Sequence, residues 1–378
     1  MKSVREICDC YGCGVCAVVC SRHAVKLEQN AKGFYVPVVD DSLCNNCGLC
    51  IQVCAFAHSE TVLKDASIKG FGAWSNDSEV RLKCSSGGIG FELGRYLLAD
   101  GYKVCGVRYN ASMQRAEHYI ATDESSLIPS IGSKYIQSYT VDGFKEIDRT
   151  GKYLVTGTPC QIDSFRRYIR KFKMEDNFVL MDFFCHSVPS MLAWKKYLSI
   201  WEKKTGPVLH ASWRNKFTGW HDSWAMSING ERGCHNSRLS QGDLFYKLFL
   251  GDYCCNPACQ KDCKYKYDKS SADIRIGDFW GKTYLADEEG VSAVAVFTKK
   301  GEDIIQKLNC TLIKYPFSVV AEGQMKKNVG RHYLASIVSR WLSSQNTGLV
   351  LITMVFFVDW LCHLPKRIIN RLWRISRR

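Results

Sequence analysis

Two short runs near the start of the chain place cysteines at one repeated spacing. Residues 10–20 and residues 44–54 both read C-x2-C-x2-C-x3-C. This spacing suits two [4Fe–4S] clusters and one-electron transfer, because three thiolates wrap one face of a cubane and the fourth points to the other cluster. The expected ligands of one cluster are Cys10, Cys13, Cys16 and Cys54, and those of the other are Cys44, Cys47, Cys50 and Cys20.

The residues beside these cysteines refine the prediction. Gly12, Gly14 and Gly48 suit loops that pass close to sulfide and take backbone angles forbidden to other residues. Zinc knuckles and disulfides also use cysteines in fours, but seldom as two copies of a three-plus-one spacing. The proline that usually follows the fourth cysteine is Ser21 in the first run and Ala55 in the second. Neither departure removes a ligand, so we expect a dicluster unit of the bacterial ferredoxin type.

A second group of cysteines lies in residues 254–263, which read CCNPACQKDC. We hypothesise that this group helps to hold a third [4Fe–4S] cluster. Its spacing is looser than a ferredoxin run, so a zinc site, or a cluster that lacks one protein ligand, stays open. The hypothesised ligands are Cys255, Cys259 and Cys263, with Cys160 or Cys185 as the fourth.

Composition indicates a reducing compartment. The chain has 378 residues, of which 20 are cysteines. Residues 1–8 contain no apolar segment of a secretory signal, so we expect a cytoplasmic protein whose cysteines bind metal rather than form disulfides. Half of the net charge of +14 falls in residues 331–378, which contribute +7. No helix-turn-helix, RNP or zinc-finger pattern accompanies this charge, so we expect no nucleic-acid partner.

The elements between the two cysteine regions alternate in type. A strand over residues 152–156 meets a Gly-Thr-Pro-Cys loop, a helix over 161–173 and a continuous apolar strand over 178–184. This order indicates a parallel or mixed sheet with helices on its faces, so the fold class is α/β, or α+β with the small ferredoxin-like unit included. In such sheets ligands bind where loops leave the carboxyl ends of strands. Cys160 and His186 both follow such ends.

Five short motifs occur in one order through the middle of the chain. Behind a dicluster unit, they resemble the coenzyme F-420 hydrogenase/dehydrogenase beta-subunit family in its bacterial form, over residues 81 to about 320. The resemblance implies an FAD that exchanges electrons between iron–sulfur clusters and a hydride donor or acceptor. Relatives reduce deazaflavin coenzyme or chlorophyll-type macrocycles, and others belong to polysaccharide assembly. The motifs are Ser85–Gly88, Gly132–Tyr135, Gly157–Gln161, Phe184–Ser190 and Gly277–Gly281.

The resemblance also implies roles for single residues. Backbone amides at helix N-termini suit the FAD diphosphate. Lys134 would pair with a phosphate or a substrate carboxylate, although a solvated surface lysine fits equally well. His186 would deliver a proton during hydride transfer, with a structural histidine as the alternative. The expected cofactor-binding residues are Ser85, Ser86, Gly87, Gly88, Gly157, Thr158, Pro159, Gln161 and Asp278.

The end of the chain is both apolar and basic. Residues 348–364 fall short of the ~20 apolar residues that span a membrane, and Asp359 and His363 interrupt them. Residues 365–378 are basic and amphipathic, with Trp373 on the apolar side, which suits a helix lying on an anionic membrane surface. The alternative is a C-terminal helix packed on the protein body.

These features predict an iron–sulfur flavoprotein oxidoreductase that works with a redox partner such as a ferredoxin and with a small-molecule substrate that the sequence does not identify. It would be cytoplasmic with peripheral contact on the inner face of the membrane, and a homo-oligomer stays open. The alternative is a substrate-free relay between a ferredoxin and a membrane complex, which needs clusters but no flavin site. The expected divisions are residues 1–65 (dicluster domain), 66–80 (linker), 81–150 (N-terminal region), 151–320 (catalytic and flavin region) and 331–378 (tail).

Overall fold

The computed structural model describes residues 2–63, 67–345 and 348–375, with side chains described as far as Cys362. In these residues the strands form one sheet of nine strands, one of three and one of two. The strands are β1 (Val25–Gln29), β2 (Tyr35–Val39), β3 (Lys69–Ser75), β4 (Lys103–Asn110), β5 (Arg115–Ala121), β6 (Ser138–Tyr139), β7 (Tyr153–Thr156), β8 (Phe178–Phe183), β9 (Val208–Ser212), β10 (Ala225–Gly230), β11 (Gly233–Arg238), β12 (Ile274–Asp278), β13 (Ser292–Val296) and β14 (Cys310–Tyr315).

Helices connect most of these strands. The helices are α1 (Val15–Val19), α2 (Leu49–Gln52), α3 (Ser78–Lys83), α4 (Ile89–Ala99), α5 (Glu124–Leu127), α6 (Val141–Lys145), α7 (Pro159–Lys171), α8 (Met191–Thr205), α9 (Leu244–Leu250), α10 (Pro257–Lys261), α11 (Lys299–Ile305), α12 (Phe317–Val320), α13 (Ala335–Ser343) and α14 (Val350–Ile375).

The large sheet is mixed, with four parallel strands at its centre. Its order is β14-β3-β13-β12-β8-β7-β4-β5-β6. Strands β12, β8, β7 and β4 are parallel neighbours, and β3, β13 and β14 pair antiparallel at one side. The predicted α/β class is therefore confirmed. Because the central strands are parallel, their carboxyl ends meet at one edge of the sheet, where ligands bind in such folds.

Each face of the large sheet carries its own hydrophobic core. Leu154 on β7 packs in a cluster with Leu93 and Leu97 of α4. Its neighbour Val155 packs in a second cluster with Ile162 and Phe165 of α7. Successive side chains of a strand point to opposite faces, so α4 and α7 cover opposite faces of the sheet. The apolar run that predicts β8 is buried on both faces for this reason.

The segment predicted to be a linker is instead largely a strand and a helix. Residues 69–75 form β3, which pairs with β13 on one side and β14 on the other. The two glycines that suggest a linker are needed for close packing. A Cβ on Gly70 would lie 2.8 Å from Val320 Cγ2, and one on Gly72 would lie 3.0 Å from the Tyr284 hydroxyl. The linker prediction for residues 69–75 is therefore wrong.

The N-terminal unit packs directly on the α/β domain. Val15, Val19 and Val53 of the unit share one hydrophobic cluster with residues of α6 and α7. The Ser164 hydroxyl of α7 lies 3.1 Å from Cys13 Sγ and accepts a hydrogen bond of 2.9 Å from the backbone N–H of Ala55. The dicluster unit is therefore continuous with the core of the larger domain.

A buried ion pair ties two central strands and a loop together, and it yields a prediction. Arg275 on β12 donates bonds of 2.7 Å to both oxygens of Asp182 on β8 and also binds the carbonyls of residues 265, 267 and 269. Asp182→Asn leaves a buried, uncompensated guanidinium, so we expect the free energy of unfolding to fall by about 3 kcal/mol or more. Anaerobic urea denaturation followed by tryptophan fluorescence measures this loss.

A surface pair provides the matched control. Asp303 binds Lys299 at 2.7 Å, and both side chains are exposed. Exposed pairs are screened by water, so Asp303→Asn should leave the denaturation midpoint unchanged. An equal shift in the two variants would contradict the assigned importance of the Asp182 pair.

Candidate functional site

The eight N-terminal cysteines lie in two sets of different exposure. Cys10, Cys16 and Cys54 are buried, whereas Cys47 is exposed and Cys44 is half-buried. Burial raises the pKa of Cys10 to about 12, and backbone hydrogen bonding from Asn46 lowers the pKa of Cys44. The predicted cluster of Cys10, Cys13, Cys16 and Cys54 therefore lies inward, and that of Cys20, Cys44, Cys47 and Cys50 lies toward solvent.

Two glycines shape the loops that carry these thiols. Gly14 and Gly48 stand immediately before α1 and α2 with φ angles of 74° and 77°. This left-handed conformation is open to glycine at little cost. A Cβ on Gly14 would also lie 2.1 Å from the Thr140 hydroxyl oxygen. The loops therefore fit the predicted cubane-binding turns.

Four thiols from separate elements converge between the dicluster unit and the large sheet. Cys160 is the second residue of α7, Cys185 follows β8, Cys259 lies in α10 and Cys263 follows α10. Burial raises the pKa of Cys185 to about 12, and the nearby Cys259 and Cys263 raise it further. Burial also raises the pKa of Cys160, with contributions from Cys259, Cys185 and Cys13. The structure thus brings together both alternatives for the fourth ligand.

Cys255, the other hypothesised ligand, faces a different group. Its Sγ lies 3.7 Å from Asp252 Oδ1 and 3.6 Å from the carbonyl oxygen of Phe249. After burial, the largest influences on its pKa are Cys254, Ser187 and Asp252, with Cys259 following them. Cys255 therefore lies at the side of the four-thiol group, next to His186.

The raised pKa values of Cys160, Cys185 and Cys259 bear on metal binding at the four-thiol group. A bare thiolate is costly in such a buried place, and four are costlier because they repel one another. Metal ligands are deprotonated thiols, whose charge the metal balances. The four converging thiols, of which Cys259 is buried and the other three are half-buried, form no disulfide and therefore fit an iron–sulfur cluster.

A cavity of about 420 Å³ opens beside this group. It lies at the carboxyl ends of β7, β8 and β12, where Thr156, Phe183 and Ile276 form part of its wall. Its size falls within the usual range for small-molecule sites. The lining includes aromatic rings from several elements, namely Tyr135, Trp224, Phe249 and Trp280.

The predicted diphosphate loop forms one end of the cavity. Ser85, Ser86 and Gly88 line it, and Gly88 has a φ of 89° at the start of α4 with no side chain capping the helix. Gly87 lies behind the wall, where an added Cβ would lie 2.3 Å from the Ala73 carbonyl oxygen. The first amides of α4 are therefore available to an anion, while Gly87 serves close packing.

Lys134 also lines the cavity at this end. Its Nζ donates bonds of 2.9 and 2.8 Å to the carbonyls of Pro129 and Ile131. Burial lowers the pKa of Lys134 to about 7. These contacts hold the amine at the wall, which differs from the freely solvated surface lysine that is the alternative. Its pairing with a phosphate or carboxylate stays a prediction.

The Gly157–Gln161 segment builds the start of α7 as well as the wall. Gly157, Thr158 and Gln161 line the cavity, whereas Pro159 is the first residue of the helix and lies behind them. Gln161 accepts a 2.9 Å bond from the N–H of Thr158 and donates one of 3.0 Å to Ser138. The amide of Gln161 is thus engaged within the protein, and any contact of this segment with a cofactor stays a prediction.

Asp278 and Arg214 form a buried pair beneath the aromatic wall. Arg214 donates bonds of 2.9 Å to each oxygen of Asp278, and the indole of Trp220 donates a third of 2.8 Å. The guanidinium also lies 4.8 Å from the ring of Trp224 and 5.6 Å from that of Trp280. Both oxygens of Asp278 are therefore occupied, so any influence on a cofactor passes through Arg214 and the rings.

His186 lines the cavity on the side of the four thiols. Its Nε2 lies 2.9 Å from Asp252 Oδ1, and its Nδ1 lies 2.9 Å from Met325 Sδ. A catalytic histidine is commonly oriented by a carboxylate in this manner. The predicted proton delivery by His186 stays a prediction, and Asp252 is a partner that the sequence spacing does not reveal.

Comparison with known proteins identifies the two parts of the chain. Residues 150–313 match the family model for the C terminus of the coenzyme F420 hydrogenase/dehydrogenase beta subunit. Residues 9–57 match the 4Fe-4S dicluster domain. Residues 150–313 thus correspond to the C-terminal part of the beta subunit, and they follow a dicluster domain. The predicted resemblance and the iron–sulfur assignment of the N-terminal unit are confirmed.

The chain is also similar to a curated protein and to a solved structure. Over 172 residues it is 24% identical to the coenzyme F420-dependent sulfite reductase of Methanocaldococcus jannaschii, which is 43% of this chain and 26% of the relative. The chain thus spans about a quarter of that relative's length. The F420-reducing [NiFe] hydrogenase complex of Methanosarcina barkeri matches at a TM-score of 0.44 and 20% identity, covering 75% of this chain and 90% of that one. Members of the matched family are oxidoreductases.

Several residues in or behind the cavity wall lie outside the five motifs. Trp224 and Met325 line the cavity and Arg214 packs behind Trp224. All three come from segments without a clear period, and only the tryptophan-rich composition of residues 205–250 hints at Arg214 and Trp224. The sequence alone is consistent both with a place for the tryptophans of residues 205–250 in the hydrophobic core and with a place for them beside a cofactor. The structure divides them, since Trp213 and Trp220 are fully buried and Trp224 borders the cavity.

The Arg214 cluster yields a testable prediction. A lysine ammonium cannot donate to both oxygens of Asp278, to Tyr135 and to Ser223 at once, as the guanidinium does. We expect Arg214→Lys to lower the free energy of unfolding by about 1–3 kcal/mol and to change the fluorescence of the surrounding tryptophans. Arg238→Lys at the more exposed pair with Asp222 is the control, and it should change neither.

Proposed function

We propose that the protein is an iron–sulfur flavoprotein oxidoreductase that exchanges electrons between [4Fe–4S] clusters, FAD and an organic hydride acceptor or donor. The observation that carries this proposal is the four-thiol group of Cys160, Cys185, Cys259 and Cys263, which stands between the dicluster unit and the cavity. Cys185 itself belongs to the cavity wall. A third cluster site beside a ligand cavity serves electron exchange with a bound group better than it serves structure alone.

The three sets of cysteines lie in order from the protein surface to the cavity. The set with exposed Cys47 lies outermost, and the buried set with Cys10 lies inside it. Tyr11, within the loop of the buried set, packs with Cys160 and Cys263 of the four-thiol group. We propose that the exposed set is where a redox partner protein, such as a ferredoxin, contacts the chain.

The cavity residues fit a flavin on chemical grounds. FAD would supply the conversion between single electrons and a hydride. Ser85, Ser86 and Gly88 would hold its diphosphate through backbone amides at the start of α4. Lys134 would add a donor or a positive charge, and Tyr135 and Trp224 would border the ring system.

A deazaflavin is the first hydride partner to test, because the matched family and the relative both carry coenzyme F420 in their names. The polysaccharide-assembly setting stays a proposal from the resemblance.

Cofactor content is the first test. In protein purified without oxygen we expect about twelve irons with matching sulfide, four for each cluster, and one FAD per chain. Eight irons and no flavin after reconstitution would instead favour the substrate-free relay. The measurement is iron, acid-labile sulfide and flavin per chain.

Single cysteine variants test the third cluster. Cys185→Ser removes one thiolate of the four-thiol group, so we expect about four fewer irons per chain and the loss of one cluster from the EPR spin integral of the reduced protein. Cys254→Ser is the control, because Cys254 is a buried thiol that faces the carbonyl of Leu248. Equal iron in wild type and Cys185→Ser would rule out this ligand set.

We also propose that helix α14 contacts an anionic membrane surface. One side of the helix packs on the body through Ile352 and Val355. Asp359 faces His332 and Tyr333 rather than interrupting an apolar surface. The other side leaves apolar residues exposed at helical spacing, namely Val350, Met354, Phe357, Val358 and Leu361. An apolar helix face of this kind suits the interface of a bilayer.

Sequence supplies the charge that such a surface needs. Six basic residues follow the exposed stripe between residues 366 and 378, and each adds on the order of 1 kcal/mol near an anionic leaflet. The side chains of His363 and Trp373 lie outside the described residues. Among the helices of the described chain, none is long and apolar enough to cross a membrane.

Vesicle binding tests this proposal. We expect the full chain to sediment with vesicles rich in phosphatidylglycerol and much less with phosphatidylcholine vesicles. The double variant Phe357→Ser with Trp360→Ser should lose most of this binding, because these exposed rings are neighbours on the outer side of α14. Leu209→Ser, an exposed apolar residue on β9, is the control. Equal sedimentation of all three proteins would contradict membrane contact through α14.

A further inference from the structure

Two loops beside the cavity are joined by backbone hydrogen bonds. The N–H of Ser190 donates a bond of 2.8 Å to the carbonyl of Cys254, and the N–H of Asn256 donates one of 3.0 Å to the carbonyl of Val188. Pro189 and Cys255 form a bridge between these bonds. The loop after β8 and the loop after α9 are therefore held in fixed register.

This register brings three different metal-binding side chains together. The ligand atoms of His186, Asp252 and Cys255 all lie within 4.8 Å of one another. His186 Nε2 and Asp252 Oδ1 are 2.9 Å apart, and Cys255 Sγ lies 3.7 Å from the same oxygen. Ligand atoms of a four-coordinate zinc ion, each about 2.0–2.3 Å from the metal, stand at similar separations.

The four-thiol group leaves Cys255 available for this cluster. Cys160, Cys185, Cys259 and Cys263 already supply the four thiolates that one [4Fe–4S] cluster needs. Cys255 points toward Asp252 and the carbonyl of Phe249 instead. This step rests on the ligand set given under the proposed function.

We propose that His186, Asp252 and Cys255 bind a single divalent transition-metal ion, with zinc as the best match, at the wall of the cavity. A neutral imidazole, a carboxylate and a thiolate are a ligand set that suits zinc. Only three protein ligands are present among the described residues, so the fourth position is left for water or for a ligand in the cavity, which His186 borders. Sites with an open position of this kind are catalytic rather than purely structural.

The surroundings of His186 fit metal binding through Nε2. A metal on Nε2 places the ring proton on Nδ1, and Nδ1 lies 2.9 Å from Met325 Sδ, a weak acceptor. An acceptor on the second nitrogen is the usual support for a metal-bound histidine. A water on the metal would then be the proton source near the cavity, in place of the imidazole proton.

Zinc binding by the full chain tests the proposal. Protein with its full iron content is incubated anaerobically with zinc, freed of excess metal, and analysed for zinc and iron. We expect one zinc per chain, and X-ray absorption at the zinc edge should show one sulfur at ~2.3 Å with nitrogen and oxygen at ~2.0–2.2 Å. Asp252→Asn and Cys255→Ser should reduce retained zinc to background while iron stays unchanged. Asparagine suits position 252 because Asp252 has a φ of 61°, in the left-handed region that asparagine and aspartate adopt more readily than most residues.

The neighbouring Cys254→Ser is the control and should retain zinc. Wild-type protein that retains no zinc would overturn the proposal. A loss of about four irons in Cys255→Ser would also overturn it, because Cys255 would then be a cluster ligand. The iron content of Cys185→Ser reports separately on the proposed function, so the two failures can be distinguished.

Discussion

Buried thiols set the main constraint on this protein. A thiolate inside a protein is unstable unless a positive charge balances it, and here thiols from distant parts of the chain share one buried region. Cys10 and Cys16 belong to the N-terminal unit, whereas Cys160, Cys185 and Cys259 come from the α/β domain. The residues around them, including Tyr11 and Tyr265, are packed as a core. Cluster binding and folding are therefore expected to be coupled in this chain.

The parallel centre of the large sheet places the reactive groups. Because β7, β8 and β12 run in one direction, the loops after them meet at one edge, and Thr158, His186 and Asp278 arrive there together. Two arginines stabilise this edge from different sides. Arg275 holds the loop of residues 265–269 to the sheet, and Arg214 supports the aromatic wall. The chemistry of the site thus depends on charged groups that do not themselves face the cavity.

The sequence predicts the parts of this site that are local. The spacing of the N-terminal cysteines predicts a dicluster unit, and short apolar runs predict β7 and β8 closely. Contacts between residues that are far apart in the sequence are harder to predict from it. Nothing in the spacing of Cys255 shows that it faces Asp252, because that contact depends on the register of two loops. Likewise, the glycines of β3 resemble a linker until the neighbouring Val320 and Tyr284 are known.

The shared core beneath the dicluster unit has a consequence for cluster assembly and for oxidative damage to the protein. Val15, Val19 and Val53 are covered in part by residues of α6 and α7. If oxygen destroys the clusters, the loops around them lose their fixed conformation. These valines then no longer pack against the larger domain. The damaged chain would then expose apolar surface of the dicluster unit and of the α/β domain at the same time. Oxidative damage would thus end in aggregation, and assembly of the clusters would have to precede the final closure of the two domains.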